Sequence, residues 1–278
     1  MKTVLSIQSQ VVGARVGNSV AAFALERLGV RVLQMPTTLL GRRPDRGAPG
    51  GGPLPKATLA SLLDALDADG QLARVDAVIS GYLGAPDQVE VVLDAVDRVK
   101  RANQQAFYVC DPVLGDADKG LFVSAPIAEA MLQGLAPNAD WLPPNLFELG
   151  EIAGRVVENL DEARSAARRL GKPALVSSIP TETGIGVLFA AQAGDWFCET
   201  PALPRAPKGA GDLLAALFVG RRVLGQAPAV ALEAATGAVY DVIVRSLAAE
   251  SDDLLLPEAQ DVLADPLTWP RARALETM

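Results

Sequence analysis

The chain has 278 residues, half of them apolar and 21% charged, which is enough to bury a large core and lies within the size range of one α/β domain. Its formal charge of -8 argues against nucleic acid as a partner and means that an anionic ligand must be held by local devices, such as a helix N-terminus or a bound cation. The absence of histidine excludes Ser-His and Cys-His nucleophiles, histidine bases and the usual zinc sites, so acid or base catalysis falls to Asp, Glu, Lys, Tyr or Cys.

At the N-terminus, MKTVLSIQS reaches polar Gln8 and Ser9 too soon for a signal-peptide apolar region. No stretch is long enough to span a bilayer, so no membrane partner is expected. Cys110 and Cys198 lie in apolar runs without metal-ligand companions, which fits a reducing compartment. The expectation is a soluble, cytoplasmic protein.

Short apolar runs at residues 4–7, 30–34, 77–79, 107–110 and 174–176 read as strands, and stretches of helical period separate them. Val89, Val92, Leu93, Val96 and Val99 share one face of a helix. Residues 184–190 and 196–199, separated by turn residues 192–195, read as an antiparallel hairpin extending one edge of the sheet. Residues 213–224 and 229–247 are apolar nearly all round and read as buried helices. The order implies a three-layer α/β/α sandwich with a mostly parallel central sheet, one domain over residues 1–278. Residues 41–55, GRRPDRGAPGGGPLP, hold too much Gly and Pro for a regular element and read either as a mobile flap over a site or as a surface linker. Near the C-terminus, residues 257–263 fit a short helix.

Five motifs fall where strands end or helices begin. Ser9 ends the first strand, and Gly17-Asn18-Ser19 opens the first helix, either as a cap or as the wall of a substrate pocket. Ser80-Gly81-Tyr82-Leu83-Gly84 follows a strand, with Tyr82 free either to stack on a flat ring or to pack in the core. Asp111, in CDPVLGD, stands at the carboxyl end of a strand, where open α/β sheets bind ligands, and is either a Mg²⁺ ligand or a turn aspartate. Asn145 and Glu148, in PNLFE, have the spacing of a capping box and could equally join a metal and phosphate shell. In Lys208-Gly209-Ala210-Gly211-Asp212, three small residues entering a buried helix leave backbone N–H groups open to an anion. Asp212 is then either a helix N-cap or a base for a hydroxyl, kept ionised by the helix end. Walker A and GxGxxG motifs are both absent.

In this order, IQSQVVGARVGNSVA, SGYLG, CDPVLGD, PNLFEL and KGAGDLLAALFVG resemble the bacterial pyridoxal kinases, a branch of the ribokinase-like superfamily, from the N-terminus to about Tyr240. The resemblance implies ATP and Mg²⁺ at the carboxyl edge of the sheet, transfer of the γ-phosphoryl group to the 5′-hydroxyl of pyridoxal, pyridoxine or pyridoxamine, and a homodimer. It implies Asp212 as the base, with Gly209, Ala210 and Gly211 as the anion hole, and Asp111 and Glu148 near the metal. The nucleotide side would comprise Asp111, Asn145, Glu148, Ser177 and Ser178, with Thr200, Pro201, Ala202 and Leu203 on its lid. The acceptor pocket would comprise Ser9, Val16, Asn18, Asp45 and Tyr82.

Three segments depart from that pattern. Where those kinases read SHVVYGHVGNS, residues 9–19 read SQVVGARVGNS, without the two histidines and the tyrosine. The flap's Asn-His-Thr segment becomes Arg42-Arg43-Pro44-Asp45, and the lid between Leu203 and Gly209 is short. Arg15, Arg42, Arg43 and Asp45 either select a more polar acceptor or are solvated flap charges. A kinase for another hydroxymethyl heterocycle or a sugar, and a non-catalytic binder, are the competing readings. The reactive cysteine of hydroxymethylpyrimidine kinases is missing, since Lys208 precedes Gly209.

Overall fold

In the computed structural model, which describes residues 1–276, alternation along the buried strands divides the core between two faces of a sheet. The strands are β1 (Thr3–Val11), β2 (Arg31–Leu40), β3 (Gly51–Pro53), β4 (Ala77–Ser80), β5 (Phe107–Cys110), β6 (Gly115–Asp116), β7 (Gly120–Leu121), β8 (Ala174–Pro180), β9 (Gly184–Ala191), β10 (Gly194–Pro201) and β11 (Arg273–Leu275). On one face Val4, Ala77, Ile79, Val109, Leu175 and Phe189 pack against helices Asn18–Arg27, Ala210–Val223 and Pro228–Ala248. On the other, Leu5, Ile7, Val78, Tyr108 and Cys110 meet helices Lys56–Ala68 and Gln88–Ala102. Farther along that face, Val176 and Leu188 meet helices Leu146–Ala153 and Leu160–Arg169. Burying each such side chain contributes about 1.5–3 kcal/mol.

The strand order β3-β2-β1-β4-β5 continues through two parallel bridges, Val109 to Trp141 and Leu142 to Ala174, into β8-β9-β10-β11. Trp141 pins this splice by stacking on Phe107 at 4.7 Å and meeting Phe189 and Phe218 at about 6 Å, favourable separations for aromatic pairs. Because β1, β2, β4 and β5 are parallel and the bridges continue the same sense to β8, their carboxyl ends share one edge. Ser80, Asp111, Asn145 and Ser177 all fall at that edge.

The expected sandwich, hairpin and buried helices are present, with several corrections. Strand β1 runs on to Val11 instead of ending at Ser9, and the hairpin turn is only Gln192 and Ala193. The segment 41–55 is not irregular throughout: Pro44–Arg46 form a 3-10 turn, and β3 pairs antiparallel with residues 38–40 of β2. An edge strand tolerates this Gly-Gly-Pro composition because only one side of it is paired. The late helix is Gln260–Ala264, and the tail returns as β11 against β10. There Arg164 Nε donates to buried Asp195 at 2.6 Å and Nη2 donates to the Leu275 and Glu276 carbonyls, fastening the tail. The last two residues of the expected domain lie outside the described residues.

Candidate active site

The turn before the Ala210–Val223 helix can only be glycine. Gly209 has φ 95, and a Cβ there would lie 2.3 Å from the Arg15 carbonyl. The helical ladder begins with Leu213 N–H donating to Gly209 O at 2.9 Å, so the N–H groups of Ala210, Gly211 and Asp212 have no acceptor within the helix. All three residues line the cleft described below.

Asp212 is not the N-cap. Gly209 holds that position without a side-chain cap, and the Asp212 carboxylate instead accepts from Gly17 N–H at 3.0 Å. Gly17 is itself constrained: at φ 55 a Cβ would lie 2.4 Å from Ser9 O. Burial raises the Asp212 carboxyl above its ordinary value and the Gly17 N–H opposes that rise, so the helix end does not by itself hold the group at a low pKa.

Asp111 follows β5, its N–H donating to Ser80 O at 2.9 Å. Its carboxyl is pushed well above the usual range, first by burial and then by Glu148 and Asp212. The chain leaves it through Val113 at φ 43, a conformation that a β-branched residue adopts only when its surroundings enforce it.

The Asn145 and Glu148 capping box is present, with Glu148 N–H donating to Asn145 Oδ1 and Asn145 N–H to Glu148 Oε2, both at 2.9 Å. Capping is only part of their work. Glu148 Oε1 also accepts from Leu114 N–H at 2.7 Å and Gly115 N–H at 3.4 Å, while Asn145 Nδ2 donates to Gly115 O at 2.8 Å. The pair thereby ties the Asp111 loop to the helix start. The Glu148 carboxyl is pushed up to about 7, chiefly by burial.

A cleft of about 510 Å³ joins Asp111, Asn145 and Glu148 to Gly209, Ala210, Gly211 and Asp212. Ser177 and Ser178 enter it as a bulge: the β8 to β9 register jumps between Val176 and Ile179, with Ser178 at φ 63. Thr200, Pro201 and Leu203 line it as expected, but Ala202 is exposed and outside its wall, the neighbours on either side having taken the inward positions. Sequence reasoning missed the apolar end formed by Ile185, Val187, Val239 and Ile243 with Tyr240, whose residues look like ordinary core. It also missed Lys208 as a site residue, although it adjoins Gly209; its ammonium pairs with Asp116 and sits 4.7 Å from the Phe122 ring centroid.

The expected acceptor residues do not line this cleft. Asn18 ties strand to helix: it is 0% exposed, accepts from Ser6 Oγ at 2.7 Å and donates to Gln8 O at 3.0 Å. Ser9 is buried behind Gly17, and Val16 packs on Val11, Ala14 and Leu40. Tyr82 is half-buried, with its phenol pKa raised by burial. Asp45 is exposed and chelated by Arg43, whose hydrogen bonds hold its carboxyl below the usual range. Through Gly17, this side reaches Asp212 by way of the backbone.

Open helix-start amides, an adjoining carboxylate, two further carboxylates at the strand edge and an apolar slot beside them have the chemistry that phosphoryl transfer needs: groups to hold a nucleotide and a group to take a proton from an acceptor. The sequence model of the phosphomethylpyrimidine kinase family matches residues 24–255. The chain is 37% identical over 272 residues to pyridoxal kinase PdxY of Corynebacterium diphtheriae, covering 95% of this chain and 96% of that protein. With the enzyme of the same name from Paraburkholderia xenovorans it shares 38% over 278 residues, 96% of each chain. Among solved structures, the pyridoxal kinase of Leishmania donovani in complex with ADP and pyridoxamine matches with a TM-score of 0.93 at 25% identity, covering 99% of this chain and 100% of that one. Pyridoxal kinase from Entamoeba histolytica shares the fold, with a TM-score of 0.91 at 22% identity over 99% of this chain and 100% of that one. The chain belongs to the pyridoxal kinase family, ATP-dependent kinases of ribokinase-like fold.

Proposed function

We propose that this kinase transfers the γ-phosphoryl group of Mg-ATP to the 5′-hydroxyl of pyridoxal, pyridoxine or pyridoxamine. The observation that carries the reading is Asp212: a carboxylate at the open start of the Ala210–Val223 helix, held by Gly17 N–H and lining the cleft with Asp111 and Glu148. Asp212 takes the hydroxyl proton at a carboxylate oxygen as the oxygen attacks phosphorus, and its raised pKa brings it nearer the range in which proton transfer is efficient. The amides of Ala210, Gly211 and Asp212 balance the charge developing on the transferring group. Ser177, Ser178, Thr200 and Leu203 hold the nucleotide, with the apolar slot beside Tyr240 for its base.

The residues fit Mg²⁺. No group of three or more Asp, Glu or Cys among the described residues could hold a metal by itself, and Mg²⁺ takes one or two carboxylates while keeping waters and substrate phosphates. Asp111 would hold it, with Glu148 behind; the mutual repulsion of these buried carboxylates is what a divalent cation relieves. When bound it would neutralise phosphate charge. The homodimer implied by the resemblance and the cytoplasmic location expected from the composition belong to the same proposal; no helix among the described residues is long and apolar enough to cross a membrane.

A second reading, a hydroxymethylpyrimidine kinase, is favoured by the description of the matching family model and opposed by Lys208 before Gly209. One assay separates them: ADP release from Mg-ATP with each B6 vitamer, hydroxymethylpyrimidine and ribose, above the no-acceptor background. Turnover with a B6 vitamer is expected. Turnover with hydroxymethylpyrimidine alone, or silence with every acceptor despite ATP binding, overturns the first reading.

A further inference from the structure

The flap is fastened by charge. Arg43 is only 8% exposed although it sits in the flap turn, and its guanidinium has fixed partners on both sides. Nε and Nη2 donate to the two carboxylate oxygens of Asp45, each at 3.0 Å, and Nη1 donates to Asp253 Oδ1 at 2.9 Å. Arg46 Nη1 donates to the other Asp253 oxygen at 2.9 Å. A single carboxylate outside the flap thus engages two flap arginines.

The same turn holds the opposite side of the cleft. Asp252 pairs with Arg205 of the nucleotide lid, and Ser251 O accepts from Arg205 Nη2 at 3.3 Å. Asp253 also forms a parallel backbone bridge with Lys208, immediately before the Gly209 turn. The turn itself is stiffened by Ser251 Oγ, which donates to Asp253 O at 2.8 Å and accepts from Asp253 N–H at 3.1 Å. It is anchored to the end of the Pro228–Ala248 helix by Ser251 N–H donating to Ser246 O at 2.9 Å.

We infer that residues 251–253 form a clasp joining the acceptor-side flap to the nucleotide-side lid, and that Arg43 and Asp253 are positioning residues for the acceptor. The inference rests on the proposed kinase reading for its kinetic consequence but not for its mechanical one. Swinging the flap away separates the largely buried Arg43 from Asp253, which favours the closed arrangement. Because lid and flap are fixed to one short turn, ordering either by its substrate lowers the cost of ordering the other, so ATP and acceptor bind with positive coupling.

The test uses Asp253→Asn, which removes the charge at nearly constant shape, and Asp253→Glu, which restores it. In the first variant trypsin should cut the flap after Arg42 or Arg46 about tenfold faster, with cuts elsewhere unchanged, and the acceptor KM should rise about tenfold while kcat stays within about twofold. Asp253→Glu should recover most of both effects. Unchanged flap cleavage in Asp253→Asn, an unchanged acceptor KM, or equal behaviour of the two variants would overturn the clasp. If the wild-type protein phosphorylates no B6 vitamer, the acceptor proposal fails while the cleavage rates still decide the clasp.

Discussion

Beside the Ala210–Val223 helix the cleft wall is largely backbone: glycine at φ 95 with no room for a Cβ, open helix-start amides, and a serine bulge. At the flap, Arg43, Asp45, Arg46 and Asp253 form a charged fastening around a short 3-10 turn. The contrast teaches which half tolerates change. A backbone cradle has no side chain to exchange, so it constrains the chain to glycine, whereas side-chain fastenings can be rewritten while the chemistry continues. The missing histidines and the rebuilt flap fall on the exchangeable side.

The largest expected effect is at Asp212. Asp212→Asn should lower kcat by about 10²–10⁴ while calorimetry still detects ATP binding; near-normal turnover would remove the base from the account. Next come the two glycines of the cradle. Gly209→Ala forces a Cβ against the Arg15 carbonyl at an unfavourable φ, so both melting temperature and kcat should fall, kcat by about 10–10². In Gly211→Ala nothing in the protein opposes the new Cβ, so the melting temperature should hold while the ATP KM rises. Equal thermal losses in both variants would blur the distinction between a steric and a ligand-facing glycine.

The pH dependence gives an intermediate effect. The Glu148 carboxyl stands at about 7 in the fold against an ordinary value of 4.5, so between those values the folded state holds more protons than the unfolded chain. Its contribution to stability is full below 4.5 and is lost as pH rises through about 7; Asp111 and Asp212, also raised, act in the same direction. Glu148→Gln should flatten the fall in melting temperature over that window, and an unchanged slope would assign the fall to other groups. The smallest effect is expected at Asp45, an exposed ion-pair partner: Asp45→Asn should cost under about 1 kcal/mol by urea unfolding.

The parallel strands were legible because residues 4–7 of β1, with β4 and β5, are short apolar runs, and the Gln88–Ala102 helix because its valines keep one face. Strand β3 was not, since its Gly-Gly-Pro sequence carries no apolar pattern and pairs only through one edge of β2. The splice at Trp141 and Leu142 is two residues long, too short for any period. Within the site, Asp111 and Asp212 stood out because small or turn residues flank them, and Glu148 because it stands at capping-box spacing from Asn145. Their meeting in one cleft did not, because it is made by residues far apart in the chain, as is the hydrogen bond from Gly17 N–H to Asp212 across 195 positions. The burial of Asn18 was not legible either, because the same residue type that lines pockets also ties strands to helices.

The proposed transfer is decided by mass spectrometry of the vitamer after incubation with Mg-ATP, for wild type and Asp212→Asn side by side. Pyridoxal, pyridoxine or pyridoxamine should gain one phosphoryl group with wild type, and product formation should be slowed by about 10² or more with the variant. Unmodified vitamers with wild type, or equal rates with the two proteins, would contradict it.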